Sequence, residues 1–440
     1  MLQQAKSMGQ DIQRRVQCLG WTAADAKFWE TLNRERHRIA FLAPPLETIP
    51  NPSGNAIYCL VERLVERLGA GTMAMAVGPD SEAAKETPIR DRLLYYHHSL
   101  KPSLVFRLLP WRVKKYLFGA GAPELRKYGR SAGAVLRAMQ MQAVVVEDVP
   151  ILVSALASTS GPNVKQVLHQ HINAPTGMPS HHWRKVCRCL QGIVFVAQKT
   201  QQEAVQCHGG FGVPSRVIYN GVDLSHYSPV KWTSPALGLR EQLGIAPDCS
   251  VLLFVGRLLP FKGVAESAEA FNRASVTKSR MLIIGDPEIR LYRDDAYLQR
   301  LKTAAENSAG RIHLVGKVAQ TELPKWYAAS DAVIVPSLGA EGLPKIITEA
   351  LAMGKPVLAS DRGGAWELLR EGQNGWLIRD PSDLESTARL IKQVLSDRAV
   401  LLNLSPGILN RDRPFMSEER MVKEFADTLA DWCAGDNTVR

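Results

Sequence analysis

The chain has 440 residues, 45% of them hydrophobic and 22% charged, which excludes a disordered or fibrous protein and is long for one compact core. Two domains of about 200 residues each fit that length. A formal charge of +11 suits nucleic acid, anionic lipid or a phosphorylated ligand, and charge alone does not choose among them.

Residues Met1–Arg38 mix charges with isolated apolar side chains, unlike a secretory signal or a membrane span, and no other segment reaches about eighteen continuous apolar residues. A cytoplasmic protein is expected. The seven cysteines are scattered and include no CxxC pair, which favours a reducing compartment. Cys187 and Cys189 follow His181 closely, but a CxC pair beside an apolar run is usually structural, and no metal site is assigned.

In chain order, residues 1–37 are expected to form an N-terminal helical extension. Apolar runs of strand type then recur at Arg38–Ala43, Thr72–Val77, Ala143–Val146, Gln166–His171 and Ile193–Ala197. After the first run, Pro44-Pro45 leads to Ser53-Gly54-Asn55 and a helix over Ala56–Leu68. Between the second and third, Lys101–Arg130 carries eight Lys or Arg against Glu124 alone, interleaved with apolar and aromatic residues. That pattern fits an anionic membrane surface, or a helical excursion packed on its domain with its charges in water. Asn220–Ser250 breaks the pattern and marks a domain boundary. Further runs follow at Val251–Val255, Met281–Ile284, Ile312–Val315, Ala332–Val335, Pro356–Ala359 and Gly375–Ile378, and an amphipathic segment, Ser417–Cys433, comes last.

Continuous apolarity implies strands covered on both faces, and the helical patterns between them imply right-handed βαβ units. The expected class is α/β, with two Rossmann-like, doubly wound domains facing a central cleft. The first spans 38–225, with the last helix, 415–440, returning to it; the second spans 226–414. No first strand leads into GxGxxG, and Gly119-Ala120-Gly121 and Gly210-Phe211-Gly212 read as turns. Walker A and Asp-x-Asp sequences are also missing. No cofactor is expected, and protein groups must neutralise any bound phosphate.

Val251–Val255 ends in Gly256-Arg257, and Lys262-Gly263 follows just before a helical pattern over Val264–Ala274. Ligands of open parallel sheets bind beyond the carboxyl ends of strands, so Arg257 and Lys262 stand where two cations suit a diphosphate. Ordinary basic residues on a solvated loop are the bland alternative. Pro336–Pro356 reads as a strand end, a loop, a helix opening near Pro344 and a stop at Gly354. The positive end of that helix makes an anion site at the same mouth. Glu341 lies in the loop and Glu349 inside the helix, so one can bind sugar and the other ribose. A helix-dipole partner and a solvent-facing residue are the plainer readings.

Gly256-Arg257 with Lys262-Gly263, the Glu341 to Glu349 spacing and Asn220-Gly221-Val222-Asp223 together resemble the GT-B glycosyltransferases of family 4, best over 166–378. The resemblance implies that Glu349 holds the ribose hydroxyls, Glu341 lies near the donor sugar, and Arg257 and Lys262 hold the diphosphate. It implies a sugar pocket lined by Gly342, Leu343 and Pro344, although many members carry an aromatic and a glycine in place of Leu343-Pro344. Gly316–Val318 would face the base, with Val318 in contact. His171 falls at the family position that touches the donor sugar near the reaction centre; a satisfied core histidine is the alternative. Asp148 would mark the acceptor side. Gly54 is what remains of a Gly-Gly pair usual in the family.

The implied activity is metal-independent, retaining transfer of a hexose-type sugar from a UDP-sugar or GDP-mannose to a glycan or lipid-linked acceptor, by analogy in cell-envelope polysaccharide synthesis. Nucleic acid is not an expected partner. A catalytically silent GT-B binding protein and a nucleotide-sugar epimerase are the rival readings.

Overall fold

Two parallel sheets, each wound in both directions from an inner strand, account for the apolar runs. The computed structural model describes residues 2–23, 39–45, 56–69, 71–77, 89–96, 123–172, 177–286 and 294–433. The chain divides into two units, Met1–Ile218 with Val422–Arg440, and Tyr219–Met421.

The first unit contains β1 (Trp21–Ala23), β2 (Ile39–Leu42), β3 (Thr72–Val77), β4 (Leu93–Tyr96), β5 (Ala143–Glu147), β6 (Lys165–Gln170), β7 (Gly192–Phe195) and β8 (Ser215–Val217). Among the described residues their order is β1-β4-β3-β2-β5-β6-β7-β8. All neighbours are parallel except β1, which joins the β4 edge antiparallel. Every residue of β5 is buried, as a strand covered on both faces requires. The early residues 21–23 thus belong to the sheet: Trp21 is fully buried, stacks on Tyr128 at 5.5 Å and donates to Ser131 Oγ at 2.9 Å.

The helix Glu418–Cys433 joins this unit from Val422 onward, its first turn belonging to the second unit rather than, as expected, the whole of 415–440 returning. Phe425 packs on Phe41 and His169 at centroid distances of 6.0 and 5.0 Å. Trp432 occupies the space beside Gly192, where an added Cβ would sit 2.5 Å from its ring. Arg216 donates to Thr428 at 3.0 Å and Asp431 at 2.6 Å.

The second unit contains β9 (Ser250–Val255), β10 (Ser279–Ile284), β11 (Ile312–Gly316), β12 (Ala332–Val335), β13 (Val357–Ser360) and β14 (Gly375–Ile378), all parallel, in the order β11-β10-β9-β12-β13-β14. Buried Asp331, at the foot of β12, accepts from Val251 N–H at 2.8 Å and from Arg398 Nε at 3.0 Å, which ties β12 to β9.

In both sheets the winding direction reverses between two adjacent inner strands, β2 and β5 in one and β9 and β12 in the other. Such a reversal leaves a crevice beyond the carboxyl ends of those strands, where ligands of doubly wound folds bind.

Among the described residues no helix is long and apolar enough to cross a membrane. Most of Lys101–Arg130 lies outside the described residues, as do Gly119-Ala120-Gly121; from Pro123 onward the segment belongs to the helix Pro123–Ala138. Gly210 and Gly212 have φ of 108° and 68°, in keeping with a turn.

Candidate active site

At the reversal point of the second unit, the loops after β9 and β12 are pressed together. Gly263 has φ of 68°, and a Cβ there would lie 2.1 Å from Pro336 O, so only glycine allows the approach. Leu338 and Gly339 N–H both donate to Phe261 O, at 2.8 and 3.1 Å, fastening one loop to the other. This brings Lys262 Nζ onto Glu341 Oε1 in a direct ion pair, and Ser337 Oγ donates to the same oxygen at 2.9 Å. The side chains of Lys262 and Glu341 keep 17% and 14% of their exposure, so both remain open to a ligand. Arg257 is exposed, with its guanidinium carbon 5.6 Å from the Phe261 ring centroid; Lys262 Nζ lies 5.2 Å from the same centroid.

The helix Lys345–Ala352 opens after Pro344, whose side chain makes no capping hydrogen bond. Its first-turn N–H groups and positive dipole are those of an anion site. Gly363 supports the loop before it: a Cβ there would meet Glu341 O at 2.6 Å and Gly342 O at 2.7 Å, and Gly364 N–H donates to Gly342 O at 2.7 Å. Gly342 and Leu343 are buried and Pro344 is partly exposed.

Glu349 faces inward. It is 5% exposed, accepts from Tyr327 Oη at 2.7 Å on one oxygen and lies 3.7 Å from Lys345 Nζ through the other. Burial, and then the adjoining Glu349, push the Tyr327 phenol well above its ordinary pKa, so it stays a donor. A carboxylate offers about four lone-pair sites, so Glu349 retains acceptor capacity for further hydroxyls. Val318 lies in the loop after β11, partly exposed.

In the first unit the carboxyl ends of β5 and β6 carry a different cluster. Glu147 is fully buried; its Oε2 accepts from His171 Nε2 at 2.8 Å and stands 3.0 Å from His169 Nδ1. Burial alone would raise the Glu147 pKa, but His169 and then His171 pull it down to about 2. Asp148, with φ of 54°, turns the other way: its Oδ1 accepts from Gln170 Nε2 at 2.6 Å, His171 N–H at 2.9 Å and Ile172 N–H at 3.1 Å. Asp148 therefore shapes the turn that carries His171, while Glu147 meets its ring. Burial raises the Asp148 pKa, against the hydrogen bonds it accepts. Gly54 lies outside the described residues.

Among the described residues, Glu147, His169 and His171 form the one group able to offer a metal ion three ligand atoms, all within 4.8 Å of one another. Cys187 and Cys189 are free thiols; burial pushes Cys187 up to about 12.

The sequence reading missed Glu147, His169, Ser337 and Tyr327. The first two carried a signal. In the parallel register Glu147 pairs with His169, and side chains two apart on a strand share a face, which groups Glu147 with His169 and His171 and sets Asp148 with Gln170.

Arg257, Lys262, Glu341 and Glu349 all fall in one stretch of homology. Residues 238–407 match the family Glycosyl transferases group 1. The group 1 match lies wholly within the second unit. Lipopolysaccharide 1,2-N-acetylglucosaminetransferase of Salmonella typhimurium is 28% identical over 240 residues, 54% of this chain and 59% of that protein. D-inositol 3-phosphate glycosyltransferase 2 of Catenulispora acidiphila is 33% identical over 195 residues, 42% of this chain and 44% of that protein. The chain thus spans about half the length of these curated relatives. Among solved structures, Anabaena HepE in complex with UDP superposes with a TM-score of 0.69 at 20% identity, over 90% of this chain and 100% of that one. Sucrose-phosphate synthase from Thermosynechococcus elongatus gives 0.70 at 18% identity, over 91% and 100%. These likenesses show the fold, the GT-B pair of Rossmann-like domains.

Proposed function

We propose that the chain is a retaining, metal-independent glycosyltransferase of family 4 that moves a hexose-type sugar from a UDP-sugar or GDP-mannose to a glycan or lipid-linked acceptor, in cell-envelope polysaccharide synthesis. One observation carries this reading: the ion-paired Lys262 and Glu341 stand at the reversal point of the second sheet, just before an uncapped helix N-terminus and an inward-facing Glu349. A diphosphate needs cations and free N–H groups, a ribose needs a buried carboxylate, and a sugar needs an acceptor on the loop between. The relatives named for transfer of N-acetylglucosamine and for D-inositol 3-phosphate, and the UDP-bound structure, support a nucleotide-sugar donor.

In the proposed reaction the bond between the sugar's anomeric carbon and the diphosphate breaks as the acceptor oxygen bonds the same face. The acceptor proton passes to the departing diphosphate. Arg257, Lys262 and the helix opening at Pro344 stabilise the charge that grows on the leaving group. When the diphosphate enters, Lys262 exchanges part of its ion pair with Glu341 for phosphate oxygens, freeing Glu341 for sugar hydroxyls. His171 acts on the donor sugar and Asp148 marks the acceptor side, as the resemblance implies; Gly342, Leu343, Pro344 and Val318 complete the donor site. We place the protein in the cytoplasm, docked on an anionic membrane through residues 101–130.

The test is a thermal-shift screen of UDP, GDP and their sugars, followed by transfer assays with the donor that binds. Stabilisation by one nucleotide diphosphate, at about 2.7 kcal/mol for ligand at a hundred times its Kd, is the expected result. A flat response to the whole series would remove the proposal.

A further inference from the structure

We infer that Glu147 is a positioning residue for His171, fixing its ring with the proton on Nε2 and Nδ1 turned away from the carboxylate. The inference rests on the proposed function for what His171 then does, but the ring geometry stands apart from it.

Glu147 is the last residue of β5, 0% exposed; its Oε2 hydrogen-bonds His171 Nε2 and stands 3.0 Å from His169 Nδ1. Its other oxygen, Oε1, is buried and has no hydrogen-bond partner among the described residues. A buried carboxylate lacking half its hydrogen bonds is costly, and a cluster retained at that cost is a candidate for function rather than stability. The surroundings hold each ring. His169 stacks edge-on against Phe425 at 5.0 Å, and the two imidazoles lie 4.2 Å apart. Asp148 fixes the backbone of the same residue by accepting from His171 N–H. Main chain and ring of His171 are thus held by two adjacent carboxylates, from opposite faces of the sheet.

A hydrogen bond at 2.8 Å to an ionised carboxylate requires a proton on His171 Nε2. In the Nε2-protonated tautomer Nδ1 is the acceptor, which suits a sugar hydroxyl. Glu147, His169 and His171 are also a possible metal set, but the spacing favours direct contact. Ligand atoms on one tetrahedral zinc, with bonds of about 2.0–2.1 Å, stand about 3.3 Å apart. Here both ring nitrogens approach one oxygen to 2.8 and 3.0 Å.

The experiment compares the 440-residue chain with its Glu147→Ala, Glu147→Gln and Glu147→Asp variants. Ring-nitrogen NMR with ¹⁵N-labelled histidine, the His171 signal assigned through His171→Gln, reads the tautomer. Expected is an Nε2-protonated His171 in the wild type, a mixed population in Glu147→Ala, and recovery in Glu147→Asp. Transfer should fall about tenfold or more in kcat for Glu147→Gln, while UDP affinity in the second unit stays within about twofold. An unchanged His171 spectrum in Glu147→Ala, or kcat and UDP affinity falling together with the melting temperature, would overturn the inference. So would one equivalent of divalent metal per chain in the purified protein, lost on Glu147→Ala. A wild type that shows the fixed tautomer but transfers no sugar defeats the proposed function and leaves the ring assignment supported.

Discussion

The two reversal points share a topology and differ in electrostatics. That of the second unit is built from loops: Lys262 and Glu341 come from segments after different strands, keep 17% and 14% exposure, and adjoin a helix end without a side-chain cap. That of the first unit begins in the strands themselves, with Glu147 on β5 and His169 on β6 fully or almost fully buried. A partly exposed ion pair is weak in high dielectric and can be exchanged for a ligand, whereas a buried carboxylate locks whatever hydrogen-bonds to it. On the proposed function, one site takes up charge from outside and the other holds a ring still.

The largest expected effect lies where charge grows during transfer. Lys262→Ala should lower kcat by about 10² to 10³, or about 2.7–4 kcal/mol, with little change in donor KM. A change confined to KM would mean that Lys262 only binds. Glu349→Ala should weaken UDP affinity by about 1.5–3 kcal/mol in calorimetry, since ribose hydroxyls lose a charged acceptor. Wild-type affinity would remove it from the nucleotide site. Gly263→Ala strains the left-handed residue and drives a Cβ into Pro336 O; a loss of about 1–3 kcal/mol in denaturant melts is expected, with transfer impaired beyond it. His171→Ala should leave UDP affinity within about twofold while transfer falls, because the proposed nucleotide site is built from residues of the other unit. Smallest of all is the effect of excess EDTA, under which transfer should persist; complete loss restored by Mg²⁺ would break the electrostatic assignment.

The eleven apolar runs all became strands, with ends within two residues of the reading, because strands buried on both faces write themselves as unbroken apolar sequence. β1, β4 and β8 stayed hidden for the opposite reason: three residues at each sheet edge, and four in β4 beside β1, carry too little period to see. Lys262, Glu341 and Glu349 were legible because short loops and a helix start fix their neighbourhood within about ninety residues of chain. Glu147 was not, since choosing between it and Asp148 depends on the register that sets Glu147 opposite His169, and register is a tertiary property. The Tyr327 bond to Glu349 joins residues 22 apart, from separate helices, and no local pattern announces it.

The last helix has a consequence for the order in which the protein is made. Phe425 covers Phe41 and His169, and Trp432 fills the space at Gly192, so β2, β6 and β7 remain partly uncovered until residues 422–433, made after the whole second unit, leave the ribosome. Tyr219–Met421, by contrast, is contiguous in sequence and has all its strands before then. Domains generally fold as they emerge, N-terminal first, but here the unit synthesised first is the one that must wait.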